Sequence, residues 1–198
     1  MASNPSIAAH PKLDEWISVT RDKRIVIRSG KVDIGQKIST AVAMIAAEEL
    51  GVAYDRIEVA QPVTGEVPDE GLTAGSNSME MTGHAVRLAA ATARAHLLGL
   101  AAAHLAVDQG DLILADGLIE SRQSGRSVTV WKLLGGKAFG VDVDENAELR
   151  PPETYQIVGR QRSSRLTPGL VKGATKFVHD MVRPGMLHRS HQPANSRC

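Results

Sequence analysis

Apolar and polar positions along this 198-residue chain repeat at two periods. "WISVT" (16–20) and "RIVIRSG" (24–30) alternate at period two, with "RDK" between them. They predict a β-hairpin with Ile25 and Ile27 on one face and Val26 on the other. "KVDI" (31–34) continues extended. The period then becomes helical. Ile38, Val42, Ile45 and Glu49 fall on one stripe, Ser39 or Thr40 supplies a cap, and Gly51 stands where a left-handed C-terminal residue is needed. "DRIEVAQPV" (55–63) alternates again as a strand. "TGEVPDEGLTAGSNS" (64–78) carries three glycines, a proline and four hydroxyl residues and reads as a long functional loop.

A long helix is predicted from about Ser78 to Ala106. Val86, Ala90, Ala93, Leu97 and Leu100 form its apolar stripe. Glu80, His84, Arg87 and Arg94 form a polar stripe, expected to be a solvated face with i,i+3 and i,i+4 pairs. "DLILADGLIES" (111–121) predicts a hairpin turning at Asp116-Gly117, and "TVWKLLGG" (129–136) a short helix. "YQIVGR" and "ATKFVHDM" suggest two further strands. This succession predicts an α+β fold of mixed α/β layers.

Composition narrows the function classes. The net charge of +1, with Lys and Arg scattered, leaves no basic footprint for nucleic acid. No apolar run has the length of a membrane span. No export signal is visible in "MASNPSIAAHPKLDEW", so the cytoplasm is the default compartment. The one cysteine, Cys198, excludes an internal disulfide and a cysteine-ligated iron–sulfur cluster within this chain. Aromatics make up 3%, so the core must come from Ala, Val, Ile, Leu and Met. The acidic stretch "DVDENAELRPPE" misses the spacing of a calcium loop and reads as a linker. His179-Asp180 reads as a structural pair.

Two short pieces carry candidate chemistry. Gly35-Gln36 precedes a helix whose free N–H groups and dipole favour an anion, and the Gln36 amide can both donate and accept. "TAGSNS" (Thr73, Ala74, Gly75, Ser76, Asn77, Ser78) also precedes a helix. Its small residues admit close backbone approach and its polar ones offer hydroxyls and an amide. Two readings stand. Both are ordinary helix caps, or together they cradle an elongated anionic ligand.

"GKVDIGQ" (30–36), "AAEELGV" (46–52), "PDEGLTAGSNS" (68–78) and "GHAVRLAAATAR" (83–94) together resemble the molybdenum-cofactor-binding large subunit of the xanthine dehydrogenase/aldehyde oxidase family. The resemblance is to its isoquinoline 1-oxidoreductase and nicotinate dehydrogenase branch, over residues 13–110. Residues 155–190, with a "K-x-x-G-x-x-x-(F/Y)-x-x-D" pattern and then "PGMLH", resemble the start of that family's α/β hammerhead domain. The resemblance implies an arm over 1–14, a cofactor-binding segment over 15–141, a linker over 142–154, the hammerhead start over 155–190 and an unmatched tail over 191–198. It implies a molybdopterin cofactor, held only once the subunit is complete, and hydroxylation of an N-heteroaromatic or aldehyde carbon with oxygen from water. The implied partners are the remainder of the large subunit and an iron–sulfur small subunit that takes the electrons. By position, Gln36 matches the glutamine at the cofactor, and Gly75, Ser76 and Ser78 match residues lining the pterin.

Three departures qualify what the resemblance implies. Lys37 stands where the family's Gly-Gln-Gly motif has its second glycine, which strains the lysine if that position needs positive φ. The chain is several times shorter than family members. Nothing here matches their general-base glutamate, and Glu48 and Glu49 are not its counterpart. The expectation is therefore an inactive isolated fragment of the subunit. The rival is a non-catalytic α/β remnant or interaction module without cofactor.

Overall fold

The structure, a computed structural model, describes residues 3–187. The tail 191–198 with Cys198, residues 188–190 of the hammerhead-like pattern and the side chain of His179 lie outside the described residues. The described residues up to Arg165 form one compact unit and those from Leu166 onward another.

The first unit opens with two short helices, α1 (Pro5–Ala9) and α2 (Leu13–Trp16). The Asn4 side chain caps α1 by accepting from the Ser6 and Ile7 N–H groups. Ser6 and Ile7 are buried, so the stretch read as an arm is fastened down. The expected hairpin follows: β1 (Ile17–Val19) pairs antiparallel with β2 (Ile25–Ile27), Ser18 facing Val26. Ile25 and Ile27 point into the core, as their alternation requires.

Helix α3 (Ile38–Leu50) carries the chain back so that β3 (Ile57–Val59) pairs parallel with β2, giving the order β1-β2-β3. Gly51 ends α3 at φ 63°, the left-handed stop that its position predicted. The start differs from expectation. Lys37, not Ser39 or Thr40, is the N-cap residue. The Asp33 carboxylate braces the turn before α3, accepting from the Gly35 and Lys37 N–H groups and the Ser39 hydroxyl.

After the loop 60–78, a π-helical turn (Met79–Gly83) leads into α4 (His84–Leu105), which packs on α3. Ala43, Ala46 and Ala47 of α3 and Ala85, Ala89, Ala90 and Ala93 of α4 are fully buried. Such small side chains let backbones approach where bulkier ones would hold them apart. Trp16, Leu13, Ile17, Ile57 and Leu97 are among the largest fully buried side chains of the remaining core. A second, antiparallel sheet follows, of β4 (Leu112–Ala115), β5 (Leu118–Ser121) and β6 (Ser127–Thr129). The β4–β5 turn has Asp116 at φ 44° and Gly117 at φ 77°, the two left-handed positions of a tight hairpin. Gly117 is required twice over, since a Cβ there would lie 2.1 Å from Trp131 Cη2. Strand β6, three residues long, is too short to register as a period. Helix α5 (Val130–Leu134) completes this part.

The stretch 142–154 is packed rather than extended as a free linker. Val143 is buried, and Thr92 of α4 exchanges hydrogen bonds with the Asp144 backbone. Glu145 accepts from the Ser3 hydroxyl and the Asn4 N–H, which holds its carboxyl below the usual range. "YQIVGR" forms no strand, because the N–H groups of Gln156, Ile157 and Val158 all donate to the Glu48 carboxylate. The second unit contains helix α6 (Thr167–Val171) and a 3-10 turn (Val178–Asp180). "ATKFVHDM" is not a strand there either; Phe177 and Val178 are exposed. Among the described residues, no helix is long and apolar enough to cross a membrane.

Candidate functional site

Residues 32–37 form a tight, mostly exposed loop between β2 and α3. The Gln36 amide folds back on it: its Oε1 accepts from Ile34 N–H at 2.7 Å, and its Nε2 donates to Val32 O at 2.9 Å. One N–H and one lone pair of that amide remain for a ligand. Gly35 sits at φ 110°, and a Cβ there would meet nothing within 4 Å. Lys37 adopts φ 63°, ψ 34°, so the missing glycine does leave a lysine in left-handed conformation. Lys37→Gly is expected to stabilise the chain by about 1 kcal/mol. A urea midpoint that stays the same or falls would count against strain at this residue.

The second loop is tied to the first. Thr73 Oγ1 accepts from Val32 N–H at 2.9 Å, and Lys31 Nζ donates to Glu70 O and Leu72 O. Ala74, Gly75 and Ser76 are exposed, while Asn77 and Ser78 are half-buried. Gly75 and Ser76 are both left-handed, and a Cβ on Gly75 would meet open space. Asn77 Oδ1 is buried without a hydrogen-bond partner. An orphaned acceptor of this kind is costly unless something donates to it. Among the described residues no hydrogen bond links Gln36 to residues 74–78; Thr73 alone of the six reaches the first loop, through Val32.

Beneath both loops lies Glu70, which reading by pattern missed. Its buried carboxylate accepts from Ser6 Oγ (2.9 Å), Thr82 Oγ1 (2.6 Å), Ser29 Oγ (3.2 Å) and Gly30 N (2.9 Å). A cleft of about 850 Å³ is lined by Gly30, Val32 and Glu70 together with His10, Arg28 and Glu66, and Gln36 is not part of its lining. His10 ties its rim, with Nε2 accepting from Asp69 N–H and Nδ1 facing Glu15. Among the described residues, no group of three acidic, His or Cys side chains is placed to hold a metal ion. The two loops are therefore suited to a polar organic ligand: bare glycines, hydroxyls, a partly free amide and an unmatched acceptor.

The polar stripe of α4 divides. Glu80 and His84 are exposed, but Arg87 and Arg94 turn inward onto Glu49, whose side chain is 2% exposed. Arg87 Nε lies 2.9 Å from Glu49 Oε1 and Arg94 Nη1 2.8 Å from Oε2, and the Arg150 N–H donates to both oxygens. Burial, and then the neighbouring Arg94, lower the Arg150 guanidinium from its ordinary value, against the pull of Glu49 and Glu48. Both glutamates are thus consumed by packing. The signal was in the sequence: two acids in the last turn of a helix oppose its dipole and need compensating donors.

The model of the molybdopterin cofactor-binding domain family matches residues 2–169. The chain belongs to this family, that of the xanthine dehydrogenase-type molybdopterin-binding subunits. It is 34% identical to a subunit of nicotinate dehydrogenase from Pseudomonas putida over 173 residues, which is 87% of this chain and 14% of that protein. It is 26% identical to the beta subunit of isoquinoline 1-oxidoreductase from Brevundimonas diminuta, over 94% of this chain and 29% of the relative. Among solved structures it is similar to reconstituted CO dehydrogenase from Oligotropha carboxidovorans, with TM-score 0.53, 29% identity and coverage of 59% of this chain and 15% of that one. The chain thus spans 14% to 29% of the length of these two curated relatives. The family's cofactor is molybdopterin.

Proposed function

We propose that this chain contributes one wall of the molybdopterin site in a molybdenum hydroxylase large subunit. Residues 15–141 supply the cofactor-binding part and 155–190 the opening of a hammerhead-type domain. When bound, the cofactor supplies transfer of a water-derived oxygen to an electron-poor carbon, here of an N-heterocycle or aldehyde, with electrons passing to an iron–sulfur subunit. The chain's own residues bind and orient. Gln36 offers its remaining N–H and lone pair, Asn77 Oδ1 accepts a donor, Ser76 and Ser78 offer hydroxyls, and Gly35 and Gly75 let the ligand close on the backbone. Thr73 holds the second loop in register. The observation that carries this reading is the Val32–Thr73 hydrogen bond, which joins the two family motifs into one surface. Exposed Ile34 and Leu72 flank that surface, ready to be covered by the remainder of the subunit.

The test is cofactor content. The chain is expressed alone and joined to a complete subunit, and molybdenum and pterin are assayed. Cofactor is expected only in the completed form. Gln36→Ala there is expected to lower pterin affinity about fivefold, with an unchanged melting temperature, since the amide braces only an exposed loop. Parallel loss of fold and cofactor would sink Gln36 as a ligand contact.

One observation favours a second reading. Lys37 holds a left-handed conformation and adds a side chain where the motif is otherwise bare. A cofactor-free α/β module would tolerate this. Absence of pterin from the completed subunit, with pterin gained in Lys37→Gly, would favour that module for the chain as it stands.

A further inference from the structure

We infer that Lys31 is a positioning residue that sets the separation of the two cofactor-facing loops. This rests on the reading of those loops given above. The Lys31 side chain is buried, and its ammonium donates to Glu70 O at 2.7 Å and Leu72 O at 2.9 Å. Among the described residues it has no ion-pair partner. Burying an ammonium on carbonyls alone is expensive, and an apolar side chain would fill the same space more cheaply. What the ammonium adds is geometry. Gly71, between the two carbonyls, is left-handed at φ 65°, a bend that lets both oxygens converge on one donor.

The neighbours of Lys31 extend the same splice. Gly30 N–H donates to Glu70 Oε2, and Val32 N–H donates to Thr73 Oγ1. Three consecutive residues, 30 to 32, are thus bonded to residues 70 to 73. The space between them is closed: a Cβ on Gly30 would lie 2.1 Å from Pro68 O. Gln36 follows four residues beyond one end of the splice, and Gly75 to Ser78 follow within five of the other. Lys31 is too buried to touch a ligand itself. It acts through the segments it joins, pre-setting their spacing so that binding need not order them.

The experiment uses spin labels at Ile34→Cys and Ala74→Cys in a Cys198→Ser background. A narrow distance distribution is expected for the parent chain. Lys31→Met keeps the stem and removes the donors; it is expected to broaden the distribution. Arg56→Met removes the remote contacts of Arg56 with Asp116 and Trp131 and serves as a control for general destabilisation. It is expected to leave the distribution narrow. A narrow distribution in Lys31→Met would overturn the inference, as would equal broadening in the control. If Lys31→Met does not fold, Thr73→Val, which removes the adjoining tie, must broaden the distribution; a narrow one would overturn the inference equally. In the completed subunit, Lys31→Met is expected to weaken pterin retention about tenfold. Absence of pterin from the parent subunit would defeat the cofactor reading alone, since the distance measurement needs no cofactor.

Discussion

Glu49→Ala is expected to lower the unfolding free energy by about 3 kcal/mol. Glu49 closes a helix, where its charge opposes the dipole, yet it is almost wholly buried. It persists because Arg87, Arg94 and the Arg150 N–H surround it. Removing it strands two guanidiniums. Their side chains remain 28% and 14% exposed, so water recovers part of the loss and the lower end of the range for broken buried pairs applies. The chain segment around Arg150 also loses its N–H bonds to the Glu49 carboxylate, and the arginines that hold it through Arg150 O and Glu148 O lose the partner that fixes them. The check is urea unfolding: a lower midpoint at unchanged slope. Glu49→Gln keeps the volume and one acceptor and should lose less. A shift in Glu49→Ala below about 1 kcal/mol would mean that the arginines find other partners.

Glu70→Ala is expected to cost about 2–3 kcal/mol, or a fall in melting temperature of roughly 4–12 °C for a chain of this length. Ser6, Ser29 and Thr82 can turn their hydroxyls elsewhere, but the Gly30 N–H cannot turn and stays unpaired in a closed space. The three hydroxyls come from α1, the segment just after β2 and the π-helical turn before α4, so one carboxylate fastens three parts of the fold to the loop that leads into residues 73–78. Glu70→Gln retains an acceptor for Gly30 and should recover half or more of the loss. If alanine and glutamine melt alike, the Gly30 contact is not what carries the stability.

Much of the fold was legible locally. The period-two runs gave β1, β2, β3 and the β4–β5 hairpin, and Asp116-Gly117 supplied the turn they needed. Gly51 marked the end of α3. The candidate site was legible as two motifs before two helices, while whether position 37 is left-handed was left conditional by the sequence and is answered by its φ of 63°. The arm, the supposed linker and the supposed strand at "YQIVGR" read differently because their backbone groups are satisfied by distant side chains, Glu145 and Glu48 among them.

Most strands of the first sheet, the β4–β5 hairpin, the two long helices and the family could be read locally, because period, φ preference and short motifs are properties of neighbouring residues. Which polar groups the fold consumes and which it leaves without a partner emerges only from three-dimensional packing. Glu49 meets partners 38, 45 and 101 positions away, and Lys31 meets carbonyls 39 and 41 positions away. Such pairings cannot be read from spacing. They form because burial makes an unpaired charge or N–H costly, and packing alone chooses which distant group is near enough to satisfy it.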